Sequence, residues 1–481
     1  MAYSASDPFS KLPAELRLHV IMSANCMRTI SRLIRASPFM LQLYLAHKRY
    51  IQRNVMDYDD AMMQDAMAVI LIPRLCQTSK EVPDEKTIIR ARKVLQDWSL
   101  GQLPHPTIFD HVTIQLRELH NRILVFAEDY FSKATASFPP RDYCCLPQVQ
   151  PLSANEYLMF KGVEVAPRFN FADLSASEKK RIIQAFLRHE LMCRASILFP
   201  DPFSPEATRL TSTEKMPVRL TSHCEIEGIN CVGSYYCSLY GAIFAQCSDS
   251  QLPSSPGATS SDGTSLGTDL VFPDTFLFDG NTYAHEVGLL VDSWWEGNYT
   301  PGSYPDFTHW FSLLGLDRLT DFLGYDMAKE DGREALKLHI QDIWYDCHDH
   351  DLGSWAIPQC TIFKRPFRDM IGHDSPMYGK LKEPVGPTLK FLIARQRAWA
   401  LLDDTRLYPQ ETYERPNLPS RSFLKEKCIE IFNDVQHWFW LDVPSLAQCW
   451  RRIELSYEER KRAGFCDAPF AGASRWNPAS N

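Results

Sequence analysis

The first fifty residues restrict the possible folds of this chain more than any other segment, because they predict three short amphipathic helices in direct succession. Pro13 suits the first turn of the first helix, where the amide hydrogen that proline lacks would have no partner. Leu12, Leu16 and Val20 recur at intervals of four residues, and Glu15 lies in the first turn, where the helix dipole favours a carboxylate. We therefore expect a helix that begins at Pro13.

Two further helices are expected before residue 50. The second is expected near residues 27–36 and carries Ile30, Leu33 and Ile34 on one face. The residue before Pro38 is disfavoured in the helical region of backbone space, which predicts a boundary between the second and third helices. Helices this short cannot bury all their apolar surface by themselves, so they need the rest of the chain or a partner.

The same segment contains the motif Leu12-Pro13-x-Glu15-Leu16, which is followed by Val20-Ile21 and by a helix end at residues 33–37. This arrangement resembles the F-box, in the divergent form common at the N-termini of large filamentous-fungal proteins. The chain departs from the common pattern of that family at Thr29-Ile30, where the family often has Asp-Leu. It departs again at Ser37-Pro38-Phe39, where the family often has Trp.

The resemblance implies an interaction function for a module that spans residues 7–52. Such a module binds the S-phase-kinase-associated adaptor of a cullin–RING ubiquitin ligase, and the rest of the chain would hold an unknown protein substrate. The residues expected to face the adaptor or to organise the module are Leu12, Pro13, Glu15, Leu16, Val20, Ile21 and Leu33. On this interpretation the chain is not an enzyme and needs neither a cofactor nor a metal.

Composition and charge argue against several other classes of function. The formal net charge is −8 and no long basic run occurs, so nucleic acid is not expected as the main ligand. No apolar run reaches about 18 residues and no secretory pattern opens the sequence, so we expect neither a membrane span nor export. A cytoplasmic or nuclear location is therefore expected, in which the 14 cysteines are mostly reduced.

Beyond the module, the pattern is mainly helical, and we expect a mainly α fold. Apolar residues at helical spacing predict helices near residues 88–98, 112–130, 175–197, 284–295, 332–345, 388–402 and 423–440. The helix at 175–197 is the clearest, because Ser175 and Glu178 have the spacing of a capping box. Its polar side is expected to carry Arg181, Arg188 and Arg194.

The predicted helices form one large irregular body over residues 60–465, without an internal repeat of 20–50 residues. A segment rich in Ser, Gly and Asp at 248–268 predicts a flexible surface insert, because it has few apolar groups to anchor it. Residues 466–481 predict a frayed tail.

Three polar clusters are candidates for chemistry. The Asp346–Asp351 patch contains two histidines and three aspartates and could bind a metal, although a solvated turn that closes the preceding helix explains it more simply. The cysteines between Cys231 and Cys247 lack the close pairing of zinc ligands and have apolar neighbours, which indicates buried thiols. Asp403-Asp404 beside Arg406 indicates a surface ion-pair cluster.

Two alternatives to the adaptor-binding interpretation therefore remain open from the sequence. One is a metal-dependent enzyme that uses the 346–351 patch. The other is a helical scaffold unrelated to ubiquitin, in which the N-terminal helices pack on the body.

Overall fold

A computed structural model describes the parts of the chain on which the following account rests. These are residues 7–24, 27–73, 85–104, 110–136, 139–149, 157–198, 223–252, 278, 280–284, 286–289, 307–348, 392 and 394–403. The fold of this part is mainly α, as predicted. The predictions for residues 423–440 and for the tail at 466–481 lie outside the described residues.

Helices dominate the order of elements along the chain. The α-helices are α1 (Ala14–Ser23), α2 (Met27–Ala36), α3 (Pro38–Met56), α4 (Asp60–Leu71), α5 (Glu85–Leu100), α6 (Asp110–Ala134), α7 (Pro139–Asp142), α8 (Ala176–Leu198), α9 (His223–Cys247), α10 (Phe307–Ser312), α11 (Gly315–Phe322) and α12 (Glu330–His348). Short 3-10 helices lie at Pro8–Lys11, Phe171–Asp173 and Gly280–Tyr283.

The core of the body is built around α9. This helix packs against α8 and α10, and α8 packs in turn against α4 and α6. The side chains of Tyr235, Tyr236 and Tyr240 are buried in α9 with the apolar residues around them. Burial of large side chains on several sides of this helix contributes to the hydrophobic stabilisation of the body.

The capping box predicted for α8 is present. The Ser175 hydroxyl oxygen accepts a hydrogen bond from the backbone N–H of Glu178 at 3.2 Å, and the Glu178 carboxylate accepts one from the N–H of Ser175 at 2.9 Å. Two amide groups that the helix itself cannot satisfy are thereby bonded. The predicted helices at 88–98 and 112–130 are also confirmed, within α5 and α6.

A two-stranded antiparallel hairpin was missed by the sequence analysis. Strands β1 (Tyr157–Phe160) and β2 (Val163–Pro167) are joined by Lys161 and Gly162, both of which have positive φ angles, +47° and +82°. A two-residue turn of this kind matches the twist of the strands that it joins. Two short apolar runs separated by two residues that end in Gly would have indicated it.

Two predicted helices are wrong in part. At 284–295 the described residues form turns after the 3-10 helix at Gly280–Tyr283, with Gly288 at φ +79°. At 388–402 the helical residues 394–396 are followed by turns, because Ala398 adopts φ +52°, which no α-helix allows. Neighbouring elements override the local pattern in both places.

The start of the predicted flexible insert at 248–268 is anchored rather than free. Ser248 is buried, and the Lys161 ammonium group donates to the carbonyl oxygens of Ser248 and Ser250 at 2.6 and 2.9 Å. Residues 248–252 are therefore attached to the hairpin turn, which corrects the prediction for them. The rest of the insert lies outside the described residues.

Charged residues expected on the polar side of α8 are partly inside the protein. Arg188 is buried and donates to the Asp65 carboxylate of α4 at 3.0 Å, and Arg194 is buried beside Glu190 and Asp317. Each buried guanidinium is compensated by carboxylates, as burial of a charge requires.

Among the described helices, none is both long and apolar enough to cross a membrane.

Two buried histidines each contribute a loss of stability as the pH falls. Burial lowers the pKa of His120 to about 4 and that of His189 to about 3, whereas an unfolded histidine titrates near 6.5. Below about pH 6.5 these histidines are protonated in the unfolded chain but stay neutral in the folded chain. The two groups therefore lower the free energy of unfolding as the pH falls. Asp142 acts in the opposite direction, because burial raises its pKa to about 6.

We therefore predict that His120→Gln reduces the acid sensitivity of the protein. Between about pH 7 and pH 5 the wild-type histidine removes about 2 kcal/mol from the free energy of unfolding, and the variant loses that contribution. Urea unfolding of both proteins at the two pH values measures the difference, in which the effect of Asp142 cancels. Equal pH dependence in the two proteins would contradict the prediction.

Candidate functional site

The N-terminal module is held together by a polar clamp at the start of α3. The hydroxyl oxygen of Ser37 accepts from the backbone N–H of Met40 at 3.1 Å and donates to the Asp7 carboxylate at 2.5 Å. Asp7 also accepts from the N–H of Phe9 at 2.9 Å. The hydrogen bond from Ser37 holds the pKa of the Asp7 carboxyl below its ordinary value. The clamp fixes the segment before α1 to the end of α2.

The module has an apolar cluster of its own. Its buried members are Ile21, Ile30, Met40, Tyr44 and Ile51, which α1, α2 and α3 contribute. α3 continues past the predicted module end at residue 52, and Met56 at its end is buried in the core of the body. The module and the body are therefore joined through α3, which is kinked at His47 (φ −115°, ψ +19°).

The residues predicted to face the adaptor divide into three groups. Ile21 is 0% exposed and packs inside the module, which makes it an organising residue. Leu16 is 51% exposed, and Pro13 and Glu15 are also exposed. The remaining predicted residues are half-buried; these are Leu12, Val20 and Leu33.

Apolar residues at the start of α1 thus remain outside the buried cluster. Leu12, Pro13 and Leu16 do not belong to that cluster, whereas Val20 is half-buried and packs against it together with the fully buried Ile21. We call the set Leu12, Pro13 and Leu16 the α1 surface. A single exposed leucine is ordinary, but an exposed leucine one turn after two further apolar residues that the module interior does not use is an arrangement suited to packing on another protein.

Phe39, which was not among the predicted site residues, is a further exposed residue of this region. Its ring is 40% exposed, and the guanidinium of Arg17 lies 5.5 Å from the ring centre. Arg17 directly follows Leu16, so the cation–π contact brings the start of α3 next to the α1 surface. The sequence places Phe39 directly after Pro38, in the first turn of α3, and this position is the only local signal that pointed to it.

The other polar candidates do not form a described site. Residues 346–348 are the last of α12, but the side chains of the 346–351 patch lie outside the described residues. Among the residues that the structure describes, no group of three or more His, Cys, Asp and Glu could hold a metal ion. The predicted helix with core thiols is present as α9, where Cys231 and Cys247 are buried and burial raises the pKa of both.

Asp403 has a different partner from the one expected. The partner expected from the sequence, Arg406, lies outside the described residues. The Asp403 carboxylate instead accepts from Arg181 at 2.6 Å and from the Ser175 hydroxyl at 2.8 Å. This contact joins the end of the 394–403 segment to the start of α8, and it has a structural role.

Comparison of the chain with protein-family models, with curated proteins and with solved structures finds no match.

Proposed function

We propose that the N-terminal module is an F-box-like domain that binds the S-phase-kinase-associated adaptor of a cullin–RING ubiquitin ligase. The helical body then holds a protein substrate, and the chain performs no catalysis of its own. The observation that carries the proposal is the α1 surface. Residues that resemble the family motif, Leu12-Pro13-x-Glu15-Leu16, lie on the outside of a module whose interior is already filled by other residues.

The energetics of the module support a partner at this surface. Ile21 and the other four buried residues of the cluster stabilise the three helices among themselves, with about 1.5–3 kcal/mol for each fully buried large side chain. Leu16 contributes little to that cluster because half of its side chain remains in water. Covering Leu16 and its neighbours would therefore contribute to binding free energy without disturbing the interior of the module.

The proposal predicts that Leu12→Ala with Pro13→Ala abolishes adaptor binding. The full chain is mixed with purified adaptor, and co-purification and the dissociation constant are measured. Truncation of two contact residues at about 1–2 kcal/mol each weakens binding by about 30-fold or more, which is enough to lose co-purification. Circular dichroism should show an unchanged helix content, since neither residue belongs to the buried cluster.

Leu338→Ala is the matched control for this experiment. Leu338 is an exposed leucine, 58%, in α12 of the body and lies outside the module, so its truncation should leave adaptor binding unchanged. Wild-type affinity in the double variant would show that the α1 surface is not the binding surface. Absence of binding in the wild type would favour the alternative of a scaffold unrelated to ubiquitin.

A further inference from the structure

Charge is distributed very unevenly between the module and the rest of the chain. From Asp7 to Met56 there are eight Lys and Arg residues and two acidic residues, whereas the whole chain has 51 and 59. The remainder therefore has 43 basic and 57 acidic residues. A basic module of about fifty residues is attached to an acidic body.

Two of these positively charged side chains lie on one side of α2. Arg32 and Arg35 are three residues apart, which places them on the same side of the helix, and both are exposed. Ile30 is buried, so the arginines lie away from the module interior. Neither arginine forms an ion pair with another residue of the described part of the chain. The charge of both guanidinium groups is therefore open to a partner.

The charge of the body determines which anionic partner fits. A nucleic acid or an anionic membrane extends well beyond one module and would meet the net negative charge of the attached body, which repels it. A protein with a local acidic patch meets only the module. The exposed apolar residues of the same module, Leu16 and Phe39, also suit a protein surface, in which an apolar centre is bordered by polar contacts.

We propose that the protein partner of the module presents an acidic surface to Arg32 and Arg35, and that this pairing accelerates association. The inference rests on the proposed function, in which the partner is the adaptor. Attraction between opposite charges mainly raises the association rate and makes it dependent on salt, while apolar contacts set the dissociation rate. The two surfaces of the module therefore have separable effects on binding kinetics.

The test measures association and dissociation rates of the full chain with purified adaptor at low and high sodium chloride. Arg32→Glu with Arg35→Glu should slow association by about tenfold at low salt and remove most of its salt dependence, with a small change in dissociation. The matched control is Arg90→Glu with Lys93→Glu, two exposed residues at the same spacing on α5, which makes the same charge change on the body. The control should leave the association rate nearly unchanged.

The outcomes separate this inference from the proposed function. If Leu12→Ala with Pro13→Ala loses the adaptor while the α2 variant associates at the wild-type rate, the charge inference is wrong and the proposed function stands. If the wild type does not bind the adaptor, both are wrong. A short DNA duplex and vesicles of phosphatidylcholine and phosphatidylserine serve as further probes. Binding of either that depends on Arg32 and Arg35, with adaptor association unaffected, would overturn the inference in favour of a polyanion.

Discussion

Replacement of Glu227 by alanine is expected to lower the free energy of unfolding by about 3–5 kcal/mol, because it leaves a buried guanidinium without its counter-charge. Glu227 lies in α9 and is 1% exposed. Its two carboxylate oxygens accept from Arg395 at 2.7 and 2.9 Å. They also accept from Trp399 at 3.0 Å and from Asn230 at 3.1 Å. One substitution therefore removes four hydrogen bonds of the core.

Glu225→Ala is the matched control for this prediction, since Glu225 lies in the same helix and also pairs with an arginine. Its side chain is partly exposed, and its partner Arg188 keeps the Asp65 carboxylate when Glu225 is removed. We expect a loss of about 1 kcal/mol or less. Urea unfolding followed by tryptophan fluorescence measures both variants. Equal losses would mean that Glu227 is not the group that stabilises the buried Arg395.

Glu227 binds the segment 394–403 through Arg395 and Trp399. This segment shows why the spacing of apolar residues could not predict this part of the fold. Apolar spacing over 388–402 predicts a helix, yet the chain turns at Ala398. The carbonyl oxygen of Arg395 accepts from the Tyr130 hydroxyl, and that of Gln396 accepts from the Tyr143 hydroxyl at 2.5 Å. These donors lie more than 250 positions earlier in the chain. The residues next to the turn therefore do not reveal the hydrogen bonds that stabilise it.

The helices that were predicted well depend on neighbouring residues alone. The capping box at Ser175 and the apolar stripe of α6 are local features, and both are present. Arg188 and Arg194 are the counterexample on α8. Helical spacing identified their side of the helix, but their burial depends on Asp65 of α4 and Asp317 of α11, which only the folded chain brings near.

For the candidate site too, local sequence pattern predicts the helix but not which of its residues are buried. Apolar residues occur on several sides of α1, including Leu16, Val20 and Ile21, so periodicity does not select the side that is buried. The packing of α1 against α3 makes that selection, and it buries Ile21 and leaves Leu16 exposed. The motif indicated that these residues lie at a helix start, while their division into organising and exposed residues required the structure.

The second large effect is expected from Gly241→Ala in α9. A Cβ atom at this position would overlap the Cα atom of Gly280 and lie 3.1 Å from the ring of Phe278. The obstacle is backbone, which cannot move aside as a flexible side chain can, so α9 and the 3-10 helix at Gly280–Tyr283 would have to separate. Overpacking of this kind costs about 3 kcal/mol. Thermal unfolding of the variant measures the loss.

Gly228→Ala makes the same substitution in the same helix and isolates the backbone contact. Its new Cβ would meet only side-chain atoms, 3.3 Å from a methyl carbon of Leu401 and 3.5 Å from the Cβ of Ala185. Alanine also favours the helix by about 1 kcal/mol relative to glycine, which offsets the tighter packing. We expect a change within about 1 kcal/mol in either direction. If Gly228→Ala lowers the free energy of unfolding as much as Gly241→Ala does, the close approach of the Gly241 and Gly280 backbones is not the cause of the loss.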